Sequence, residues 1–495
     1  MQPGALERPR ARRERVHSAS AREAPCTRWR AHTTTDEPWY LARVTTVAIF
    51  GYVALQLAIG VWVGRRVRTE DDYLVAGRSL GPIMTTFTVF ATWFGAETCV
   101  GAAGIAYERG LAGNAADPFG YGFAVVLVGV FLAARLYGLR ITTIADLLRT
   151  RYGADVEKLA ALLMIPTSLL WAAAQIRAFG QILGGATGLE VPIAITIAAA
   201  VVLVYTSFGG MLADAYTDLV QGTVLLVGLA IVGFVLLPQG DFAAIDPARL
   251  RLVDPNTSAL ATMESWAVPI LGSLVAQELV ARVLSARSAT VARRATIGAG
   301  LLYLAVGVIP VAVGLLGAQA LPGLDDPEQI LVLRAENALP TWAHVIFVGA
   351  LVSAILSTVD SALLVAGSLL AHNVLHARLE RMDERGRVRA NRLAVGGFGI
   401  VAYGLALSAD RVYELVEEAS AFGTAGILVV VVLGLRDGFG GRVAAWSALV
   451  LAVVAYVAVS HATGFEAPYL MSLAVALVAF VLGGLVDRTL ASRAA

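Results

Sequence analysis

The sequence predicts an all-α polytopic membrane protein with about thirteen transmembrane helices. Of its 495 residues, 57% are hydrophobic and only 15% are charged, whereas soluble domains carry about 25% charged residues. No loop between the apolar segments is long enough to fold alone. Apolar segments of membrane-spanning length lie at about 44–64, 80–106, 118–137, 157–186, 191–208, 211–238, 264–283, 295–320, 341–373, 390–408, 411–434, 441–459 and 467–487.

The basic residues predict the side of the membrane that each loop faces. We place the loop RRVRTEDDYLVAGRS, residues 65–79, in the cytoplasm and alternate from there. Most arginines then fall in cytoplasmic loops, as the positive-inside rule requires. The outside loops keep Arg109, Arg249, Arg251, Arg334 and Arg411. We therefore expect a multi-pass protein of the plasma membrane (the inner membrane in a bacterium), with its N-terminus outside and its C-terminus in the cytoplasm.

A single membrane domain is predicted over residues 43–490, after an arginine-rich segment at 1–42 that lacks a hydrophobic stretch. Because no apolar region follows these basic residues at the right distance, the segment is not typical of a secretory signal. We expect a disordered tail or a mis-called start codon. The two cysteines, Cys26 and Cys99, are too few for a disulfide framework.

The stretch SAILSTVDSALL, residues 353–364, places a carboxylate among hydroxyl groups. Asp360 is the only charged residue between Val345 and Leu370, and at bilayer depth it costs about 2.5–3.5 kcal/mol on insertion scales. Small hydroxyl residues at helical spacing can be simple packing positions, but oxygen-rich clusters suit hard cations. We expect a cation site on the helix face that carries Ala354, Ser357, Thr358 and Ser361.

The second predicted span contains the segment ATWFGAETCVGAAGIAY. Gly95, Gly101 and Gly104 weaken a helix in the middle of the membrane, and Glu97 stands among them. Irregular backbone at this depth is tolerated only where it lines a cavity or is buried in protein. Broken helices offer carbonyl groups to cations and helix ends to substrates. We expect a binding site at this break, with close packing of glycines as the alternative.

Polar residues also interrupt later spans, in LLWAAAQIRAFG, VAQELVARVL and YELVEEASAFG. Arg177 is the only basic residue predicted deep inside a span, and it requires an acidic partner, a substrate anion or water. Glu97, Glu278 or Glu417 could be that partner. The sequence has no Walker loop or HExxH zinc motif, so we do not expect an enzyme.

Five stretches in order resemble the sodium:solute symporters, a family that includes sodium/glucose, sodium/proline, pantothenate and choline carriers. They are GRSLGP, ATWFGAE, SFGGMLADAYTDLVQ, RVLSARS and SAILSTVDSALL, within about residues 70–375. The resemblance implies a leucine-transporter-like fold with two five-helix inverted repeats, here about 80–238 and 264–434. One helix precedes the repeats and two follow. The first helix of each repeat is broken, and alternating access moves one helix bundle against the other.

The resemblance also implies ion sites. In relatives, a common sodium ion lies between the first and eighth core helices. Its ligands here would be the backbone carbonyls of Ala91, Phe94 and Ala354 and the hydroxyls of Ser357 and Thr358. Asp218, in the YTD motif, matches an acidic residue that relatives use in sodium coupling. Asp360 matches an aspartate of the choline-carrier-like branch, and it could hold a second cation or accept hydrogen bonds from its serine neighbours.

The expected solute site departs from the choline carriers. Trp93 and Trp171 match two positions of the choline carriers' aromatic cage, a device that suits quaternary ammonium groups. Ala276, however, stands where a third tryptophan is expected. The polar residues around the site favour a zwitterion or a carboxylated solute over a bare quaternary amine. The candidate solute-binding residues are Trp93, Gly95, Glu97, Trp171, Gln175, Arg177, Gln277 and Glu278.

We therefore expect a sodium-coupled secondary active symporter of a small polar organic solute that works by alternating access. The solute would be an amino acid, a carboxylate, a vitamin or a quaternary amine, and sodium would be the co-transported ion. The other partner is the lipid bilayer, and no nucleic-acid partner is expected. Proton coupling through Asp218, Asp360 or the glutamates is an alternative, as is a non-transporting membrane sensor of the solute.

Overall fold

The computed structural model describes residues 38–409, 412–436 and 439–494, and within these ranges the chain is almost entirely helical. An isolated parallel bridge between Leu80 and Ala286 is the only extended pairing among the described residues. The predicted all-α fold is therefore confirmed. The helices are α1 (Pro38–Gly64), α2 (Glu70–Val75), α3 (Pro82–Trp93), α4 (Ala102–Arg109), α5 (Tyr121–Leu127), α6 (Ala133–Gly138), α7 (Ile144–Tyr152), α8 (Ala154–Thr187), α9 (Val191–Leu236), α10 (Ala259–Ser273), α11 (Gln277–Ser285), α12 (Ala289–Ala320), α13 (Ile330–Ala338), α14 (Thr341–Ser368), α15 (His376–Leu379), α16 (Glu384–Ser408), α17 (Val412–Ala421), α18 (Thr424–Gly434), α19 (Arg442–Ala462) and α20 (Pro468–Ala494).

Ten helical stretches among the described residues are long and apolar enough to cross a membrane, and two shorter apolar helices cover Val191–Val204 and Glu418–Gly434. One of the ten, Glu97–Gly138, is 42 residues long, about twice the length that one crossing needs. It turns back at Gly110, where φ is 71°. The helices therefore supply about thirteen crossings, as predicted. Helix α1 begins at Pro38, inside the segment predicted as a tail, and residues 1–37 of that prediction lie outside the described residues.

Helix α9 contains two crossings that are joined at a kink. Gly210 has φ 65° and ψ 172°, a backbone conformation that side-chain-bearing residues avoid. A methyl group at Gly210 would also lie 2.6 Å from Cδ2 of the Tyr73 ring. Glycine is therefore required at this point of the chain.

The first helix of each five-helix repeat is broken in the middle. Helix α3 ends at Trp93, where Phe94 leaves the helical region with φ −89° and ψ 78°, and helix resumes at Ala96. Helix α10 ends at Ser273, and α11 begins after Ala276, where φ is −62° and ψ is 125°. The predicted break in the second span is confirmed, and its counterpart opens the second repeat.

The loops form two separate clusters, one at each end of the bundle. At one end, the Arg78 guanidinium donates to the backbone oxygens of Ile141, at 2.7 Å, and Leu284, at 3.3 Å. At the other end, Arg249 donates to the backbone oxygens of Ala106 and Tyr107. The loops grouped at each end are those that the alternating topology assigns to one side of the membrane.

Helix α14 is the central element of the bundle. Within an apolar stretch of 18 residues of this helix, 94% of the residues are buried, compared with 28% in the equivalent stretch of α1. Helices α3, α8, α9 and α16 all pack against α14. The hydroxyl groups and the carboxylate of SAILSTVDSALL therefore face protein rather than lipid.

Candidate ion and solute sites at the helix breaks

The last turn of α3 meets the middle of α14. The hydroxyl of Ser357 donates to the backbone oxygen of Ala91 at 2.8 Å and to that of Ala354 at 3.0 Å. The hydroxyl of Thr358 donates to the backbone oxygens of Thr92 and Ala354, both at 3.0 Å. All five residues are buried. The structure therefore brings together four of the five predicted sodium ligands and adds the carbonyl of Thr92.

Phe94, the fifth predicted ligand, lies at the break itself. Its N–H donates to the backbone oxygen of Phe90 at 2.9 Å, the last helical hydrogen bond of α3. Its ring packs on Tyr303, with ring centroids 5.1 Å apart. Carbonyl groups at a helix C-terminus lack intrahelical partners. The donor set at the break consists of carbonyl and hydroxyl oxygens, which suits a hard cation such as sodium.

A buried ion pair lies beside these hydroxyl groups. Arg282 in α11 pairs with Asp214 in α9 and also donates to the hydroxyl of Ser361 in α14. The Arg282 side chain is fully buried and that of Asp214 is 4% exposed. The prediction that Arg177 is the only basic residue deep in a span is therefore wrong. Arg282, the first arginine of RVLSARS, stands at the end of the predicted span 264–283, and α11 carries it into the helix bundle.

The two predicted coupling carboxylates both accept hydrogen bonds from threonines. Thr88 donates to Asp218, and Thr206 donates to Asp360. Asp360 and Asp214 line one cavity of about 20 Å³ together with Thr206 and Thr217, which is room for one water or small ion. The second carboxylate oxygen of Asp214 is buried and has no hydrogen-bond partner among the described residues.

Two predicted solute residues form an aromatic pair next to the α3 break. The rings of Trp93 and Trp171 lie 5.0 Å apart at an angle of 52°. Tyr121 adds an edge contact to Trp171 at 6.3 Å. The indole N–H groups of Trp93 and Trp171 are buried without a hydrogen-bond acceptor among the described residues. Because unpaired buried donors are costly, these two N–H groups indicate a place for a ligand's acceptor atom.

Gln175 connects α8 to the break. Its Oε1 accepts from the N–H of Ala96 at 3.0 Å, and its Nε2 donates to Glu97 Oε2 at 2.7 Å. The Glu97 carboxylate folds back onto Gly95, where an added methyl group would lie 2.4 Å from Glu97 Oε2. Gly95 is therefore needed both for the break and for the position of the carboxylate.

A second small cavity adjoins the α10–α11 break. It measures about 30 Å³ and is lined by Trp171, Ala276 and Glu278, among others. The hydroxyl of Ser168 donates to Glu278 Oε1 at 2.5 Å. Trp171 therefore belongs to the aromatic pair and also lines the cavity at the second break. This places Glu278 on the same side of α8 as the candidate solute site.

Two of the predicted solute residues are engaged elsewhere. Arg177 is half-buried and donates to the backbone oxygen of Ala406 in α16 at 3.3 Å. Gln277 accepts from the N–H of Ile144, at the start of α7, at 2.8 Å. Glu97 and Glu278, two possible partners of Arg177, bind Gln175 and Ser168 instead, and the Glu417 side chain lies outside the described residues.

Sequence reasoning missed a further buried carboxylate. The Asp117 carboxyl group lies within hydrogen-bond distance of the hydroxyls of Thr98, at 2.8 Å, and Tyr303, at 2.9 Å, and all three residues are buried. The predicted third span begins at residue 118, so Asp117 was expected in a loop. Its position directly before an apolar segment was the available signal.

Each five-helix repeat begins with a broken helix, and carbonyl and hydroxyl oxygens converge at one of the two breaks. These features are typical of an alternating-access secondary transporter. A sequence profile of the sodium:solute symporter family matches residues 73–455. The chain belongs to the sodium:solute symporter family. It is a membrane transporter that couples solute movement to sodium as the co-transported ion.

Sequence comparison finds curated relatives that are transporters. The chain is 29% identical over 401 residues to the human high affinity choline transporter 1, which covers 74% of this chain and 68% of the relative. It is 26% identical over 405 residues to the Caenorhabditis elegans high-affinity choline transporter 1, covering 74% and 69%. It is 29% identical over 425 residues to the high-affinity proline transporter PutP of Bacillus subtilis, covering 79% and 86%.

Solved structures share the fold. A substrate-bound, outward-open sodium-coupled sialic acid symporter superposes with a TM-score of 0.76 at 18% identity, covering 90% of this chain and 97% of that one. The nucleobase-cation symporter Mhp1 in a closed conformation gives a TM-score of 0.59 at 15% identity, covering 83% and 93%. The predicted leucine-transporter-like fold is confirmed.

Proposed function

We propose that the co-transported sodium binds where α3 breaks against α14. The observation that carries this proposal is the convergence of the Ser357 and Thr358 hydroxyls on the carbonyls of Ala91 and Thr92. Ala354 and Phe94 complete the proposed oxygen set. Sodium would replace hydrogen bonds between the two helices with direct ion–oxygen contacts.

The position of this site gives sodium a way to control access to the solute. The site joins the last turn of α3 to α14. Helix α3 ends at Trp93, directly before the helix break. An ion that binds one arrangement of α3 and α14 more tightly than another shifts the equilibrium towards that arrangement. The same coupling makes bound solute raise the affinity for sodium. Solute and sodium then leave together when the bundle changes conformation.

The solute would bind at the aromatic pair, and we propose a small zwitterion. The faces of Trp93 and Trp171 and the carboxylate of Glu97 suit a cationic nitrogen. The two indole N–H groups that lack an acceptor suit a carboxylate oxygen. Choline and proline, in the names of the relatives, share a positively charged nitrogen. Ala276 leaves one side of the choline carriers' cage open, which favours an amino acid or a betaine over choline itself.

A second cation would bind near Asp360. The cavity shared by Asp360, Asp214 and Thr206 has room for one small ion, and Asp214, one of whose carboxylate oxygens is unpaired among the described residues, lines it. Asp218, one helical turn after Asp214, is the other candidate for coupling. Proton binding by these carboxylates is the alternative.

In the membrane, the loop of residues 65–79 and the C-terminus would face the cytoplasm, the N-terminus would lie outside, and the protein would reside in the plasma membrane.

Transport by the purified protein in liposomes tests this function. Vesicles under an inward sodium gradient should accumulate radiolabelled amino acids or betaines, and the accumulation should stop when the gradient is collapsed with a sodium ionophore. Choline, a sugar and a dicarboxylate serve as comparison solutes. Uptake that needs a pH gradient and no sodium would favour proton coupling, and preference for choline over every zwitterion would contradict the proposed solute class.

A further inference from the structure

Three oxygen-bearing side chains close a ring behind the first helix break. The hydroxyl of Thr98 lies 2.8 Å from Asp117 Oδ2, the hydroxyl of Tyr303 lies 2.9 Å from Asp117 Oδ1, and the two hydroxyls lie 2.7 Å apart. We propose that Asp117 is a proton-binding site and that its carboxyl group carries a proton in this conformation. The ligand is a proton, and the site is the closed ring of Asp117, Thr98 and Tyr303.

The argument rests on the number of protons that the ring needs. A separate two-centre hydrogen bond at each of the three oxygen–oxygen contacts requires three protons, one for each contact. Thr98 and Tyr303 supply one hydroxyl proton each. If Asp117 is ionised, one contact has no proton and brings two lone pairs together. If Asp117 is protonated, each of the three groups donates once and accepts once.

The surroundings of Asp117 also favour the neutral form. Its side chain is fully buried, and no ion pair to it occurs among the described residues. The titratable groups that face it are Glu97 and Cys99, on the part of the broken helix that follows the break, and Tyr303 on α12. Glu264, on the neighbouring helix α10, binds the backbone N–H groups of Tyr469 and Leu470. An ionised Asp117 would therefore stand beside Glu97 without a compensating cation.

The ring joins three elements around the break. Thr98 belongs to the helical turn Glu97–Gly101, Asp117 to the turn Ala116–Gly120, and Tyr303 to α12. The Tyr303 ring packs on Phe94 at the end of α3. Loss of the proton would break one side of the ring and loosen Tyr303 against Phe94. Within the proposed transport function, a proton on Asp117 holds the break in shape, and uptake should decline at alkaline pH.

The variant Asp117→Asn distinguishes a site that needs a bound proton from a site that needs a negative charge. The Asn side chain can donate from its NH2 group and accept at its carbonyl oxygen, and so can close the same ring. This variant should therefore fold and transport like the wild type without the alkaline decline. Asp117→Ala opens the ring and should lower the unfolding temperature and the uptake. Loss of uptake in Asp117→Asn, with the protein still folded, would show that the charge is needed and would overturn the proposal.

Infrared spectroscopy tests the same claim without transport. The spectrum of the wild type at neutral pH, minus that of Asp117→Asn, should contain the carbonyl stretch of a protonated carboxylic acid, and the band should shift in deuterated water. Glu264→Gln is the matched control: this variant keeps Asp117, so the Asp117 band should cancel when its spectrum is subtracted from that of the wild type. A carboxylate band in the Asp117 difference spectrum would overturn the proposal, whether or not uptake of any solute has been found.

Discussion

The hydroxyl of Ser357 lies 2.8 Å from the backbone oxygen of Ala91, across the boundary between α14 and the last turn of α3. One residue later, Thr358 makes the equivalent contact with Thr92 at 3.0 Å. Two consecutive side chains of one helix therefore reach two consecutive carbonyls of another at the point where that helix ends. This pairing gives the proposed sodium site its oxygen donors.

Removing either hydroxyl should weaken sodium binding. Ser357→Ala or Thr358→Ala deletes one oxygen donor, and a loss of about 1.4 kcal/mol would raise the sodium concentration for half-maximal uptake about tenfold. Solute uptake measured against sodium concentration checks this. Ser368→Ala removes a hydroxyl from the same helix that binds only the backbone oxygen of Val365 among the described residues, and it should leave the sodium dependence unchanged. An unchanged sodium dependence in both site variants would remove the site.

The two indole N–H groups should contribute to solute selection. Trp171→Phe keeps an aromatic face for a cationic nitrogen but removes the N–H donor, which should cost about 1.5–3 kcal/mol for a charged acceptor. Competition of unlabelled solutes against a transported zwitterion checks the change. Affinity for the zwitterion should fall about tenfold or more, while affinity for an amine without a carboxylate should not fall. Equal losses for both solutes would show that the N–H groups do not bind a carboxylate.

Glu97 should contribute to binding through its charge. Glu97→Gln keeps a partner for Gln175 and removes the negative charge that would face a cationic nitrogen. The affinity for a zwitterion should fall, while the sodium dependence should stay close to that of the wild type. Binding of solute measured by intrinsic tryptophan fluorescence checks this, because Trp93 and Trp171 lie at the site. A tighter-binding variant would contradict the proposed contact.

Removing one partner of the buried Arg282–Asp214 pair should destabilise the fold more than removing an exposed charge does. Breaking a buried ion pair by removing one partner costs about 3–5 kcal/mol because the other charge stays buried. Asp214→Asn should therefore lower the unfolding temperature of the protein in detergent. Arg293→Gln, which changes an exposed arginine of α12, should have little effect. The double variant Asp214→Leu and Arg282→Met should be less destabilised than Asp214→Asn, and a larger loss would contradict this account.

The loop cluster that carries α2 and α7 should be sensitive to acid. Burial alone would raise the pKa of Asp146, but hydrogen bonds from His372 and from the N–H groups of Thr142 and Thr143 lower this pKa to about 2. A lowered pKa contributes stability above the unfolded value of 3.8, and this contribution is lost as the pH falls through about 2. The shift corresponds to roughly 2 kcal/mol.

Asp146→Asn tests this contribution. The variant should be less stable than the wild type at neutral pH, and the difference should shrink between about pH 4 and pH 2. Unfolding temperatures measured across this range check it. Asp72→Asn changes the capping carboxylate of α2, which accepts from the N–H groups of Arg68 and Thr69, and serves as the control. A difference that stays constant down to pH 2 would contradict the lowered pKa.

The features that depend on local pattern could be predicted from the sequence. Apolar segments predict the helices, and the glycines near Gly95 predict the break. The helical spacing of Ala354, Ser357, Thr358 and Ser361 predicts the helix face of the proposed cation site. Each of these depends on residues close together in the chain. Pairing between helices could not be obtained in this way. The family resemblance supplied Ala91 as the partner of Ser357.

The residues that were missed belong to pairs distant in sequence. Arg282 meets Asp214 across 68 residues, and Asp117 meets Tyr303 across 186. Both residues stand at the ends of apolar runs, and the residues next to them in the chain do not indicate which distant partner they meet. Arg177, predicted to contact the solute from its place inside a span, donates to a carbonyl of α16, a contact that its sequence neighbours do not indicate.

Equilibrium binding of radioactive sodium to the purified protein tests the central claim most directly. The wild type should bind sodium, and the Ser357→Ala and Thr358→Ala double variant, shown to be folded by its unfolding temperature, should bind at least about a hundredfold more weakly, which corresponds to about 2.8 kcal/mol. Ser368→Ala should match the wild type. Wild-type affinity in the folded double variant would contradict the account, because sodium would then bind somewhere other than the break of α3 against α14.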